Sequence, residues 1–491
     1  MKLLENKQKT SIIHKLFFFL ILLTFVFPLL SQERFRKSPP YPDPLNELNL
    51  PKVESAPLSN GLNVTVARRE NLPLISLQLV ILAGESSSPE NLPGLATFTA
   101  NMISRGAVNL SSSKIEEILE SIGGNFSTST FLDYSLFTFT FLEEYLDEAL
   151  EVLSKMILQP TFLKREIVNE KRNMFYSLRE KGREPEFVAR RQLFKLLFQN
   201  HSYQNAAYTE EVFRNISQED IFAYYDKYYR PNIASVVLVG NLNLRIAIRK
   251  VSHYLNTWKR KELDRRFIPL PAPSSKEKIC LVDLPQAKDS TIYLGNIIFP
   301  RNNQDYFPFI VLNQVLGGTT GSRLFMNLRE SKGYAYFAFS EVEFFRSCGI
   351  FMLKAKVRPE VTYFSVRESL KEIEGIIKEE VSSFEVEQAK SYLIGNFPFK
   401  IDTFENSCYR ISEAVAFQLP NDYWNNYYEN IMLINAEKVF EVAQKYPLLT
   451  PVVIIVGDKE KIMEHLGEFE EVEIYNSKGE LQYKQIKGVD K

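Results

Sequence analysis

Residues 93–107, PGLATFTANMISRGA, hold Thr97, Ala100 and Asn101 at a spacing that puts 97 and 101 one helical turn apart on one face, with 100 beside them. Imidazoles at the two outer places and a carboxylate between them would make a hydrolytic metal centre. The nitrogens would hold zinc, and the carboxylate would take a proton from the bound water. This chain has a hydroxyl, a methyl and an amide there, neutral groups that make poor zinc ligands. A second constellation lies in NLRESKGYAYF, where Arg329 and Tyr336 are seven residues apart. A guanidinium is permanently charged, and a phenol O–H can donate a hydrogen bond to a carbonyl oxygen. The plainer alternative is that Arg329 pairs with Glu330 or another surface acid and Tyr336 begins a strand.

Other chemistries find no support. His201, His253 and His465 are far apart, none lies in a His-x-x-x-His or His-x-x-Glu-His pattern, and they read as structural or surface histidines. Cys280, Cys348 and Cys408 are odd in number and form no Cys-x-x-Cys pair, so they read as small buried apolar groups rather than a disulfide framework. LGGTTGSRL lacks the Gly-Lys-Ser/Thr ending of a phosphate-cradling loop. Ser135, Ser322 and Ser340 have no Gly-x-Ser-x-Gly setting. Lys and Arg total 59 against 60 Asp and Glu, and the 37 Phe and 24 Tyr follow strand and helix periods without basic runs among them. The balance excludes a nucleic-acid binder.

The elements that must carry these residues follow from patterning. Lys2, Lys7, Lys9 and Lys15 precede LFFFLILLTFVFPLL at residues 16–30, a stretch about as long as a signal-peptide core and short of the roughly 20 residues that span a bilayer. Residues 1–31 are therefore expected to direct export, to the periplasm if the source has two membranes. An uncleaved N-terminal anchor is the alternative. Residues 32–52 read as an extended lead-in. Alternating strands, a block of helices and a closing strand then fill residues 53–258, an α+β order. Residues 259–278 are charged and then rich in Pro and Ser, a linker about which the domains would hinge. Residues 279–475 repeat the plan and residues 476–491 form a tail. Val239-Gly240-Asn241 and Val456-Gly457-Asp458 close the two halves with the same phrase, which points to one duplicated fold.

Four stretches carry a resemblance: GLATFTANM, NEKRNMFYS, YYRPNIASVVLVGN and LNQVLGGTTGSRLFMNLRESKGYAYFAFS. Over residues 53–470 the chain resembles the pitrilysin or insulinase family of zinc peptidases, the inverzincins, of the short two-domain bacterial and mitochondrial-processing type. The resemblance implies two homologous domains, each a mainly antiparallel sheet packed with helices, together forming half of a clamshell. It places Thr97 and Asn101 at the two His positions, Ala100 at the base and Ser177 at the third ligand, while Glu170 matches an acid that active members keep near the site. Arg329 and Tyr336 match a pair that binds substrate backbone and oxyanion. Ligands lost and the pair kept is the pattern of the non-metal subunit of two-protein peptidases. The implied function is a metal-free, exported subunit of a heteromeric zinc metallopeptidase, with no cofactor of its own and zinc in a homologous partner, most simply as a heterodimer. It would position unfolded or extended peptides through Arg329, Tyr336 and an edge strand containing Asn125, Phe126, Ser127 and Thr128. A non-catalytic peptide-binding or scaffold protein is the alternative. Neither reading involves nucleic acid or stable membrane insertion.

Overall fold

Residues 51–263, 270–271, 277–466 and 468–487 are described by a computed structural model. The expected signal, nearly all of the lead-in and the middle of the linker lie outside them. Among the described residues, no helix is long and apolar enough to cross a membrane.

Apolar and alternating runs form the first sheet from β1 (Val53–Pro57), β2 (Asn63–Arg68), β3 (Leu74–Ile81), β6 (Asn125–Thr130), β7 (Ser135–Leu142) and β8 (Ala234–Gly240). The short strands β4 (Gly106–Ala107) and β5 (Leu110–Ser111) make a separate hairpin. The sheet order is β1-β2-β8-β3-β7-β6, antiparallel except for the β2–β8 pair. The helices of this half with eight or more residues are α1 (Leu95–Met102), α2 (Ser112–Ser121), α3 (Leu146–Leu158), α4 (Lys164–Lys181), α5 (Pro185–Leu197), α6 (Gln218–Tyr228) and α7 (Leu244–Leu255). α2 shows how locally these form. Ser111 Oγ accepts from the Lys114 N–H at its start, Ile115 and Leu119 turn inward one turn apart, and Gly123 at φ +62° follows its end.

The second half contributes β9 (Lys278–Asp283), β10 (Ser290–Ile298), β11 (Ala335–Phe344), β12 (Gly349–Val357), β13 (Val452–Gly457), β14 (Glu471–Tyr475) and β15 (Leu481–Ile486). Its order is β11-β12-β10-β13-β9-β14-β15. From β9 to β11 this is the order of β2 to β6, with the parallel pair, β9 with β13, in the same place. The repeated Val-Gly phrase ends β8 and β13, the matching strands. Helices α8 (Tyr306–Gly317), α9 (Thr362–Lys378), α10 (Ser383–Asn396), α11 (Phe404–Ala416) and α12 (Ala436–Lys445) follow the same succession. The α+β fold with two sheet-rich domains is the one expected. One boundary needs correction: the stretch read as a tail from residue 476 continues the sheet. A tight turn with Gly479 at φ +78° returns the chain, and β15 pairs antiparallel with β14.

The halves do not pack as two independent bodies. α5, from the first half, lays Val188, Ala189, Leu193 and Leu197 on the second sheet, against Cys280, Val282, Tyr293, Met352, Ile454 and Val456. α11, from the second half, lays Phe404, Cys408 and Ile411 on the first sheet, against Ala67, Val80, Leu136, Val237 and Val239. Each half thus lends a helix to cover the other's otherwise bare sheet face. The fit is close enough that a Cβ at Gly295 of β10 would come within 2.7 Å of Leu193 Cδ1.

Polar clasps hold both helices. Arg69, after β2, donates to the carbonyls of Ile401 and Thr403 at 3.2 Å, with its guanidinium over the Phe404 ring. Lys195 of α5 donates to the Gly479 carbonyl at 2.6 Å, and Arg191 donates to that of Ser477. Buried Asp133 accepts from the Tyr203 hydroxyl at 2.7 Å and from the Arg346 N–H, across the halves, at 2.8 Å. This corrects the expected hinge, because opening the halves would expose both shared cores at ~1.5–3 kcal/mol for each large apolar side chain.

Two outcomes follow. Leu193→Ala should lower stability by about 2–5 kcal/mol in urea titration. A chain nicked between residues 259 and 278 should keep its two fragments together in size-exclusion chromatography under native conditions; fragments that separate without denaturant would contradict the exchange.

Candidate functional site

α1 starts at Gly94, whose φ of +87° turns the chain into the helix. The free amides of its first turn need acceptors. The buried carboxylate of Glu85 takes the N–H of Gly94 at 3.1 Å and of Thr97 at 2.9 Å, together with the Thr97 hydroxyl, and Ser88 Oγ donates to it at 3.2 Å. Burial pushes Glu85 above the usual carboxylate range, and these hydrogen bonds oppose that shift. Thr97 is therefore bound to Glu85 and does not share a site with Asn101. The Ala100 methyl is buried in the first core.

Asn101 and Glu170 do come together. Asn101 Nδ2 donates to Glu170 Oε1 at 3.0 Å and lies 3.6 Å from Met174 Sδ. Arg105, one turn further along the helix axis, lies with Nη2 3.1 Å from Glu170 Oε2 and Nη1 3.9 Å from Glu116. A zinc ion would be needed here to balance a buried carboxylate, but Arg105 already does so. An ionised carboxylate only accepts, so Asn101 must present its N–H₂ to it rather than an oxygen to a metal. Ser177 lies exposed near the end of α4 and completes no ligand set. These residues do not fit zinc. Among the described residues, no group of three or more His, Cys, Asp or Glu could hold a metal.

Sequence reading missed Glu85 and Arg105. Arg105 carried a signal, since it stands four residues after Asn101 and hence on the same helical stripe.

Beside this cluster lies an open cleft of about 400 Å³ between α1, α2 and β6. Its wall includes Asn125, Phe126, Ser127 and Thr128, the residues expected to form an edge strand, and β6 does stand at the end of its sheet. The other sheet ends carry residues that discourage pairing: β1 has Glu54 and Pro57, β11 has Glu341 and Glu343, and β15 has Lys484. β6, NFSTST, has neither charge nor proline.

Arg329 and Tyr336 also meet. Arg329 follows a short helix (Arg323–Phe325) within a π-helical turn (Met326–Ser331), a form that often marks functional sites. Tyr336 is the extra residue of a β-bulge, because Ala335 pairs with Val357 and Phe337 with Lys356. Arg329 Nη1 donates to the Tyr336 carbonyl, and its guanidinium lies over Phe325 and 3.8 Å from Glu330. The Tyr336 side chain is left 54% exposed, with its phenol open to an incoming group. Arg323 pins the start of this segment to α10 through Glu385, at 2.6 and 3.0 Å.

The fold and the site define a duplicated α+β protein in which Asn101 and the Arg105–Glu170 ion pair occupy the stretch of α1 expected from the sequence to match metal-ligand positions. Residues 64–211 match the family described as Insulinase (Peptidase family M16), and residues 215–393 match its companion, Peptidase M16 inactive domain. The chain belongs to the insulinase family. It is 25% identical over 412 residues to a Helicobacter pylori protein named Non-peptidase homolog YmxG, covering 82% of this chain and 94% of that one. It is 23% identical over 347 residues to the Bacillus subtilis protein named Uncharacterized zinc protease YmxG, covering 70% and 83%. A solved M16 inactive domain from Pseudomonas fluorescens has the same fold, with a TM-score of 0.78 at 22% identity, covering 83% of this chain and 98% of that one.

The purified chain should hold well under one equivalent of zinc by metal analysis after dialysis, and one tightly bound equivalent would overturn the reading of this cluster. Thr97→His, Ala100→Glu, Asn101→His and Ser177→Glu together should restore zinc only weakly while Arg105 pairs with Glu170, and more fully with Arg105→Ala added.

The Arg323 segment has a pH signature. Hydrogen bonding to Arg323, opposed by burial and aided by Ser382, holds the Glu385 carboxyl down to about 2 from 4.5. A depressed folded pKa stabilises above the unfolded value, so this contribution should fade as pH falls from about 4.5 toward 2. Urea titrations across that range should show a shallower loss in Glu385→Gln.

Proposed function

We propose that this chain is an exported, metal-free member of the insulinase family that binds and positions extended peptides while a homologous zinc-bearing partner supplies the hydrolytic centre. The observation that carries the reading is the pairing of opposites in one domain: the metal position is filled by Asn101, Arg105 and Glu170, while the neighbouring edge β6 is left open and uncharged. An extended peptide can add to such an edge through main-chain hydrogen bonds. The name of the Helicobacter relative, a non-peptidase homolog, supports the loss of independent activity. The exposed Tyr336 phenol is offered as the donor that reaches the partner's reacting carbonyl. Arg329 holds the bulge beneath it and presents charge nearby.

One observation favours a second reading, a peptide-binding scaffold with no part in hydrolysis. The Arg329 guanidinium is directed to its own chain and to Glu330 rather than left free. The two readings separate in a single assay. The chain is purified from its native host under mild conditions, and quenched-peptide turnover is measured with any zinc-bearing homologue that accompanies it. With the complex and its zinc intact, Tyr336→Phe should slow turnover roughly 100- to 1,000-fold, the effect of losing one oxyanion donor. Arg329→Lys should also be slow, because it loses the planar fork. Unchanged turnover in both variants would leave the scaffold reading.

A further inference from the structure

We propose that the cleft beside β6 is a pocket for a basic side chain, lysine or arginine, of the peptide that adds to that edge. The proposal rests on the peptide-binding reading above and goes further by naming what the peptide must carry. Successive side chains of an added strand point to opposite faces of the sheet, so every second one turns toward the face covered by α1 and α2. The cleft lies there.

The chemistry of the cleft is of two kinds. Ile115 and Leu119 are buried and Phe126 is half-buried, and together they supply apolar wall. Glu116 and Glu120, successive turns of α2, stand exposed at its edge. One cation, Arg105, lines the same space. It is already engaged at 3.1 Å with Glu170, and its approach to Glu116 is long at 3.9 Å. Arg105 is thus held by Glu170 behind the wall, and the lining itself carries two carboxylates, Glu116 and Glu120, against one guanidinium. A lysine or arginine places its methylene stem on the apolar wall and its charged tip among the carboxylates. An acidic side chain meets the same carboxylates with like charge, and a short neutral one reaches neither.

The test uses the full chain and fluorescent dodecapeptides of alternating Ser and Val, free to shift register by two, with Arg, Glu or Ala at the sixth position. Anisotropy titrations at low salt should show the Arg peptide binding about three- to tenfold more tightly than the other two. The gap should shrink in high salt and vanish in Glu116→Gln/Glu120→Gln, whose folding circular dichroism can check. Equal binding of all three peptides overturns the basic pocket and leaves the peptide-binding reading standing. Preference for the Glu peptide assigns the cleft to Arg105 and also overturns it. No binding by any peptide overturns both.

Discussion

The exchange of α5 and α11 is the constraint on which the rest of this structure depends. A sheet buried on one face by its own helices still has a second face, and in a duplicated fold each half could have left that face to solvent or to a further domain. Here each half gives away a helix instead. The second face of each sheet is closed by the other half, so neither half is complete alone. The Arg69 and Lys195 clasps and the Asp133 bridge then fix the angle at which the halves meet. The positions of β6 in one half and of Tyr336 in the other are set by this packing rather than by the linker.

The cluster at Asn101 joins α1 to α4 through protein side chains alone. Glu170 is buried, and an isolated buried carboxylate costs far more than a surface one. Without partners that charge would be stranded between α1 and α4. Arg105 and Asn101 satisfy both its oxygens, and this interaction joins the two helices. α4 depends on this, since Glu166, Ile167 and Glu170 are its only buried residues. Thr97 serves a different neighbour, Glu85, at the start of its helix.

Much of the architecture was legible in the sequence because it is local. Strand alternation, the helical block and the repeated Val-Gly closure are each read from a short run of chain, and they yielded the α+β order and the duplication. The exchange was not legible. Periodicity shows that α5 and α11 have apolar faces but not which sheet those faces cover. The site divided in the same way. Thr97, Ala100 and Asn101 were visible as a spaced set, whereas the Arg105–Glu170 pair joins residues 65 apart, and Glu85 reaches α1 from a turn ahead of it. β15 was missed because LQYKQI alternates weakly and its partner β14 is what makes it a strand.

The locked halves also bear on how a peptide would be enclosed. A chain that hinged between its domains could close on a bound peptide by itself, excluding water and bringing β6 and Tyr336 to bear on it together. With two shared cores to break, this chain has no such motion at ordinary cost, and β6 stays an open edge. A peptide lying along it keeps one side exposed unless a second body covers it. On the proposed function that body is the zinc-bearing homologue, so enclosure and chemistry arrive in the same step. On that reading an open, uncharged edge is the useful property in this chain.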